Sequence, residues 1–262
     1  MIRLQRSALV THVEVRRPPP LVFIHGLGTS SRIWAGLGRR LPGWSSLFYD
    51  LRGAGATSEL NRRELSISTW TADLRELLVT MDVQSPVLLG HSLGGSIALS
   101  YALSYPDDVA ALVLIGADPH LAQLAPRMRR SIEMIGSHGF ESWVNDHWIR
   151  NPPFSQQSLA TAPEILDFYR EILLGNDPND YVRTCTAIAT AADLTEALTG
   201  IAQPTLVISG DADDRTPIEQ SRWLTERLPD ARLVELPGVG HTPPLEAPDA
   251  VAVAVRNFLS QL

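Results

Sequence analysis

Cysteine is almost absent from this sequence: Cys185 is the single one among 262 residues, so no disulfide bond can form within the chain. No Cys-x-x-Cys pair occurs, and the seven histidines show no H-x-x-x-H spacing. These absences argue against structural zinc and favour a reducing compartment, in which Cys185 serves as a small buried hydrophobic residue. We expect neither a metal ion nor another cofactor.

The sequence also lacks long hydrophobic runs and an excess of basic residues. Its first seven residues contain no apolar segment of signal-peptide length, and no later run approaches a membrane span. The formal net charge is −7, and the densest basic cluster is Arg-Met-Arg-Arg at 127–130. We therefore expect a cytoplasmic protein that binds neither nucleic acid nor membranes, and the oligomeric state stays open.

The composition is that of a globular protein, with 44% hydrophobic and 19% charged residues, and the length suffices for one large domain. Residues 2–15 show the broken alternation of an edge hairpin. Continuous apolar runs predict further strands at 21–25, 45–50, 87–89, 111–115, 205–209 and 232–236. Because helical segments separate these runs, we predict an α/β fold with a doubly wound, mostly parallel sheet.

Helices are predicted where apolar residues recur every three or four positions. They cover 31–41, 70–81, 96–103 and a closing helix whose apolar face extends to Leu262. Residues Thr216 to Glu219 have the form of a capping box with Pro217 at the first helical position, which predicts one more helix start.

A segment at 119–200 departs from this pattern, because it has helical stretches and prolines but no strand. We interpret it as an inserted helical cap on a core domain formed by 1–118 and 201–262. Most of its aromatic residues are explained by packing between helices. We expect Trp143 and Trp148 to be among those that line a substrate pocket.

One apolar run stops at a serine. The predicted strand at 87–89 leads into Gly90-x-Ser92-x-Gly94 and then into a helical segment, so Ser92 is expected at a strand-to-helix turn. Such a strained turn needs glycine, whose side chain is a single hydrogen atom, two residues before and two residues after the serine. The main-chain N–H of Leu93 would face the same space and stabilise an oxyanion. Taken alone, the motif fits an ordinary glycine-rich turn equally well.

A serine nucleophile needs a base and a carboxylate that orients the base. His241 follows the last predicted strand and lies among glycines and prolines, which indicates a loop rather than a core position. The loop after the preceding strand contains Asp211, Asp213 and Asp214, which composition does not separate. Both loops follow carboxyl ends of parallel strands, where ligands bind in open sheets.

Two other histidines flank this predicted site, and we interpret both as supporting residues. His25 ends the first core strand and can brace Gly26 and the loop that follows, whereas His91 adjoins Ser92 without reaching it. The other histidines lie in contexts typical of surface or hydrogen-bonded residues: His12, His120, His138 and His147.

The chain order of serine, acid and histidine, each after a separate strand, resembles the α/β-hydrolase superfamily over 21–117 and 203–262. Five motifs carry the resemblance: His25-Gly26, Asp50-x-Arg52-Gly53-x-Gly55, Gly90-His91-Ser92-Leu93-Gly94-Gly95, Gly210-x-x-Asp213 and Gly240-His241. The resemblance implies the α/β-hydrolase fold.

The same resemblance implies the roles of individual residues. Ser92, His241 and Asp213 would form a catalytic triad, with Asp213 preferred because it fits Gly-x-x-Asp-x-x-x-Pro. The main-chain N–H groups of Leu27 and Leu93 would form the oxyanion hole. A serine nucleophile differs from the aspartate of epoxide hydrolases and dehalogenases.

Within the superfamily, three short stretches are similar to the 3-oxoadipate enol-lactonases. They are Tyr181-x-x-x-Cys185-x-Ala187-Ile188, Asp193-Leu194 and Pro204-Thr205-Leu206. His25-Gly26 departs from the Asn-Ser pair of that group, which bears on the substrate more than on the chemistry.

We therefore predict a serine hydrolase that cleaves a small carboxylic ester or lactone through an acyl-enzyme on Ser92, with water activated by His241. Hydrolysis of a carbon–carbon bond uses the same residues. A cofactor-free lyase, a perhydrolase and a ligand-binding protein without turnover are further alternatives, because fold and triad do not fix the reaction.

Overall fold

The structure is a computed structural model that describes residues 2–3, 9–14, 19–57 and 64–262. A single eight-stranded sheet forms its centre. The strands are β1 (Ile2–Arg3), β2 (Leu9–Glu14), β3 (Leu21–Ile24), β4 (Ser46–Tyr49), β5 (Val87–His91), β6 (Ala111–Ile115), β7 (Thr205–Gly210) and β8 (Ala231–Leu236). Of the predicted hairpin, residues 4–8 and 15 lie outside the described residues.

The strands lie in the order β1-β2-β4-β3-β5-β6-β7-β8. β1 and β2 are antiparallel at one edge, and the other six strands are parallel to one another. This confirms the predicted doubly wound, mostly parallel sheet. Because the chain moves outward from β3 to β4 and then returns to the other side of β3 as β5, the loops after β3 and β5 diverge and leave a crevice between them.

Helices cover both faces of the sheet. They are α1 (Ala35–Arg39), α2 (Ile67–Thr80), α3 (Leu93–Ser104), α4 (Ala125–His138), α5 (Phe140–Trp143), α6 (Gln156–Thr161), α7 (Glu164–Leu174), α8 (Pro178–Ala189), α9 (Ile218–Arg227), α10 (Pro243–Glu246) and α11 (Pro248–Leu259). No helix in the described parts of the chain combines the length and the hydrophobicity that crossing a membrane requires.

Alternate residues of β3 contribute to two separate hydrophobic cores. Val22 and Ile24 belong to the core that includes α2 and α3, whereas Leu21 and Phe23 belong to the core that includes α1 and α11. All four side chains are fully buried. A strand that is covered on both faces carries a continuous apolar run, and this is why the parallel strands could be recognised from the sequence.

A helix does start within 216–219 as predicted, but the predicted capping box is wrong. The helix begins at Ile218, and Pro217 precedes it with an extended ψ of 146°. The Thr216 hydroxyl donates to the Gly116 carbonyl at 3.3 Å, and its N–H donates to Asp213 at 2.9 Å. Thr216 therefore stabilises the loop before α9 instead of capping the helix.

Two helix boundaries also differ from the prediction. The predicted helix at 31–41 is split into a 3-10 turn over Ser31–Trp34 and the short helix α1. Glycines at positions 36 and 38 lie within α1 and lower its helix propensity, which fits its short length. Leu262 lies beyond the end of α11 and is 50% exposed, so it is not part of the buried face.

Between β6 and β7 the chain is described throughout, and there it forms helices α4 to α8 and no strand. Residues of α4 and α8 belong to the same hydrophobic core as residues of α2 and α3. The segment matches the predicted helical character of 119–200, and its action as a separate cap stays a prediction.

Candidate active site

Ser92 occupies the turn between β5 and α3. Its φ of +52° is uncommon for a residue with a side chain, and its N–H donates to the Ile115 carbonyl at 2.9 Å. A Cβ atom on Gly94 would lie 2.1 Å from the Ile24 carbonyl oxygen, and one on Gly90 would lie 2.3 Å from the Gly94 oxygen. Only glycine fits at both positions, which gives the G-x-S-x-G spacing its structural reason.

His241 meets Ser92 from the loop after β8. Its Nε2 lies 3.1 Å from Ser92 Oγ, and its Nδ1 lies 2.8 Å from Asp213 Oδ2. An ionised carboxylate only accepts hydrogen bonds, so Nδ1 carries the proton and Nε2 presents its lone pair to the serine hydroxyl. The structure thus brings together three side chains from loops that are far apart in the sequence.

The Asp213 carboxylate is fully buried. Burial by itself raises the pKa of Asp213, but His241 and the N–H groups of Thr216 and Arg215 outweigh this effect, so its pKa lies below the ordinary value. The two N–H groups donate to Oδ1 at 2.9 Å and 2.7 Å. The carboxylate is therefore ionised at neutral pH and can stabilise a positive charge on His241.

The two neighbouring aspartates have other contacts. Asp211 is exposed and accepts the N–H of Gly238 at 2.6 Å. Asp214 has a half-exposed side chain that forms an ion pair with Arg215 at 3.3 Å. Only Asp213 of the three predicted candidates contacts His241.

The two predicted oxyanion-hole residues, Leu27 and Leu93, line the same cavity as Ser92. Neither main-chain N–H donates a hydrogen bond to any residue that the structure describes. His25 supports the loop that contains Leu27: its Nε2 accepts the N–H of Leu51, and its Nδ1 donates to the Gly26 carbonyl, both at 2.9 Å. Burial lowers the pKa of His25, which favours this neutral form.

The His91 side chain makes its hydrogen bond to the His241 main chain rather than to Ser92, and so supports the base. Its Nε2 donates to the main-chain carbonyl of His241 at 2.8 Å. Burial, together with the nearby His241, lowers the pKa of His91 to about 3. His91 is therefore a neutral donor, and its hydrogen bond connects the end of β5, next to Ser92, with the loop that contains His241.

Glu246, which the sequence analysis did not identify, also fixes the His241 loop. Its Oε2 accepts the N–H groups of Gly240 at 2.8 Å and Ser155 at 2.9 Å, and its Oε1 accepts the N–H of Thr242 at 2.8 Å. Two of these N–H groups belong to the residues on either side of His241. The sequence gives no signal for this role, because the glutamate has no distinctive spacing.

A cavity of about 200 Å³ lies over Ser92 and His241. Both predicted pocket residues, Trp143 and Trp148, belong to its wall. Trp143 is 4% exposed and packs on Tyr181, whereas Trp148 is half-buried and stacks on Tyr169 at 4.8 Å. Trp143 therefore serves both the core and the cavity wall.

Arg127 and Arg215 also line this cavity, and the sequence analysis assigned no role to either. Arg127 does belong to the basic cluster at 127–130 noted in the sequence. Cys185 is buried, and burial raises the pKa of its thiol to about 12, so it is not a reactive thiolate. Within the described residues, no three His, Cys, Asp or Glu side chains are grouped to hold a metal ion.

Comparison with known proteins places these features in a family. The family model for the alpha/beta hydrolase fold matches residues 19–248. A proposed carbamate hydrolase from Pseudomonas syringae pv. syringae is 32% identical over 248 residues, covering 92% of this chain and 94% of that protein. A proposed 2-succinyl-6-hydroxy-2,4-cyclohexadiene-1-carboxylate synthase from Bacillus subtilis is 30% identical over 252 residues, covering 92% of this chain and 90% of that protein.

Among solved structures, the enol-lactonase from Burkholderia xenovorans LB400 superposes with a TM-score of 0.84 at 26% identity, covering 97% of this chain and 96% of that one. The family model spans most of the chain, including the three loops that contain Ser92, Asp213 and His241. The chain therefore belongs to the alpha/beta hydrolase fold family.

Proposed function

We propose that the protein is a serine hydrolase that cleaves a carboxylic ester or lactone through an acyl-enzyme. The observation that carries the proposal is the hydrogen-bonded chain from Ser92 Oγ through His241 to Asp213, with distances of 3.1 Å and 2.8 Å. These distances match the reach that a nucleophile, its base and the orienting acid require.

In the first half of the proposed reaction, Ser92 Oγ attacks the substrate carbonyl carbon and its proton moves to His241 Nε2. The carbonyl oxygen becomes an oxyanion, which the free N–H groups of Leu27 and Leu93 stabilise. His241 then returns the proton to the leaving oxygen as the carbon–oxygen bond breaks. The acyl group remains on Ser92.

In the second half, water attacks the acyl-enzyme and gives its proton to His241 Nε2. A second oxyanion collapses, the bond to Ser92 Oγ breaks, and the serine recovers its proton. Asp213 holds the imidazole tautomer throughout and stabilises its transient positive charge.

Three features support a small ester or lactone as the substrate. The cavity measures about 200 Å³. Sites for drug-sized ligands commonly measure about 300–1,000 Å³, so this cavity fits a smaller molecule. The aromatic side chains of Trp143 and Trp148 suit an uncharged carbon chain. The likeness to an enol-lactonase structure favours the same chemistry. We propose residues 119–200 as a cap that selects the substrate, and a cytoplasmic location from the scarcity of cysteine.

The relative from Bacillus subtilis supports a second candidate, because its name denotes a synthase rather than a hydrolase. A cofactor-free lyase would use His241 as a base without an acyl group on Ser92. Rapid quenching during ester turnover, followed by intact-mass measurement, separates the two reactions. An acyl mass on the protein supports the hydrolase, and turnover of a non-ester substrate without such a mass supports the lyase.

The acid of the triad is tested by comparing Asp213→Asn with Asp214→Asn on p-nitrophenyl butyrate. Loss of the orienting carboxylate should lower kcat by about 10³–10⁴-fold in Asp213→Asn, because the wrong histidine tautomer is favoured. Asp214→Asn removes a half-exposed carboxylate and should change kcat little. The reverse ranking in two folded variants of equal melting temperature would assign the acid to Asp214.

A further inference from the structure

The wall of the cavity carries an excess of positive charge. Three arginines and one aspartate line the cavity, although the whole protein has a net charge of −7. The arginines are Arg127, Arg130 and Arg215. The aspartate, Asp118, is already engaged, because its Oδ1 accepts the N–H of His120 at 2.8 Å and lies 3.1 Å from His120 Nδ1.

Arg127 approaches the cavity from α4. It forms no ion pair or hydrogen bond with any residue in the described parts of the chain. Arg127 is exposed as a residue, and neighbouring groups desolvate its guanidinium group. Desolvation, followed by the positive charge of Arg215, lowers the pKa of Arg127.

Arg215 approaches from the core domain, on the loop between β7 and α9. One of its terminal N–H groups donates to the Asn151 carbonyl, and its Nε lies 3.3 Å from an Asp214 oxygen. That Nε is buried and makes no hydrogen bond of good geometry to a described residue. Asp214 is half-exposed, so water weakens its attraction for Arg215.

A third polar side chain of the cavity wall, Tyr169, is buried. Burial raises the pKa of Tyr169, and the positive charges of Arg215 and Arg127 oppose this rise. Tyr169 lines the cavity as well. A neutral phenol and two guanidinium groups together offer hydrogen-bond donors that suit the two oxygens of a carboxylate.

Resting on the hydrolase function proposed above, we propose that the substrate carries a second, negatively charged carboxylate that binds between Arg127 and Arg215. The charged end would then contact the cap segment and the core at the same time. The reacting carbonyl would lie at Ser92, in the same cavity. The substrate class is the half-ester or lactone of a small dicarboxylic acid, rather than a neutral ester.

The activity test compares the ratio of kcat/KM for monomethyl glutarate to kcat/KM for methyl pentanoate. Loss of one charged hydrogen-bond partner should lower this ratio by about tenfold to a hundredfold in Arg127→Gln and in Arg215→Gln. Arg129→Gln is the matched control, because Arg129 is exposed on the same helix and does not line the cavity. An unchanged ratio in both cavity variants would overturn the carboxylate site.

A binding test separates this proposal from the hydrolase function. Titration calorimetry of glutarate and of 1-pentanol into Ser92→Ala needs no turnover. We expect glutarate to bind, and we expect its affinity to fall by about tenfold or more when Arg127→Gln is added. Glutarate binding in a protein that turns over no ester would retain the carboxylate site and reject the hydrolase. Ester turnover without glutarate binding would do the reverse.

Discussion

Replacement of Glu246 by glutamine tests whether the His241 loop is held in place by a single carboxylate. Glu246 accepts three main-chain N–H groups at 2.8–2.9 Å. A glutamine can place its one carbonyl oxygen where Oε2 lies and keep two of these bonds. Its NH₂ group then faces the Thr242 N–H, and two donors meet.

The variant thus loses at least one hydrogen bond to a charged acceptor, which costs about 1.5–3 kcal/mol of unfolding free energy. For a chain of this size, that loss lowers the melting temperature by about 3–12 °C. A displacement of His241 by a fraction of an ångström should also lower kcat by about 10- to 100-fold, with little change in KM.

Calorimetric melting and steady-state turnover of p-nitrophenyl butyrate are the two assays. Glu226→Gln is the matched control, because Glu226 is exposed on α9, away from the cavity. If Glu246→Gln melted within about 2 °C of this control and kept its kcat, the carboxylate would not position the base.

Three other predictions concern the turn, the buried histidine and the cavity wall. Gly94→Ala places a methyl group 2.1 Å from a carbonyl oxygen of β3 and should prevent stable folding. Gly136→Ala is the control: open space surrounds this helical position, so the variant should melt at a slightly higher temperature. Equal melting temperatures for the two variants would contradict this prediction. His91 has a folded pKa of about 3, below an ordinary value of about 6.5, so the unfolded state binds the extra proton. The unfolding free energy of the wild-type protein should therefore fall as the pH drops from about 6.5. In denaturant melts, His91→Gln should lose about 1.4 kcal/mol less unfolding free energy per pH unit than the wild type. Equal slopes of unfolding free energy against pH for the two proteins would contradict this prediction. Trp148→Ala should shift relative rates across an ester panel more than Trp143→Ala, which should mainly lower stability by about 3–5 kcal/mol; the opposite pattern would exchange their roles.

The parts of the fold that could be predicted from the sequence are those whose cause is local. The strand at Leu21–Ile24 is buried on both faces, so its letters form an uninterrupted apolar run. The turn at Ser92 can be recognised in the sequence, because any side chain at Gly90 or Gly94 would clash with the backbone and both positions must be glycine. The parallel direction of the core strands followed from their alternation with helices, whereas the order of the strands in the sheet was not predicted.

The parts that could not be predicted depend on contacts between distant segments. His91 and His241 are 150 positions apart, and their hydrogen bond has no counterpart in either local pattern. Arg127 lies on α4 and Arg215 on the loop after β7, and only the folded chain brings both to the wall of one cavity. The capping box failed for the same reason, since Thr216 bonds to Asp213 and Gly116, which its own four-residue pattern does not include.

Site-specific labelling of the serine tests the central claim most directly. A fluorophosphonate should form a phosphorus–oxygen bond with Ser92 Oγ and release fluoride, and peptide mass mapping should find the added mass on Ser92 alone. Ser92→Ala should take up no label, and Asp213→Asn should react far more slowly than Asp214→Asn. If the folded protein hydrolysed p-nitrophenyl butyrate while Ser92 stayed unlabelled, or if the label lay on another residue, the serine mechanism would be contradicted.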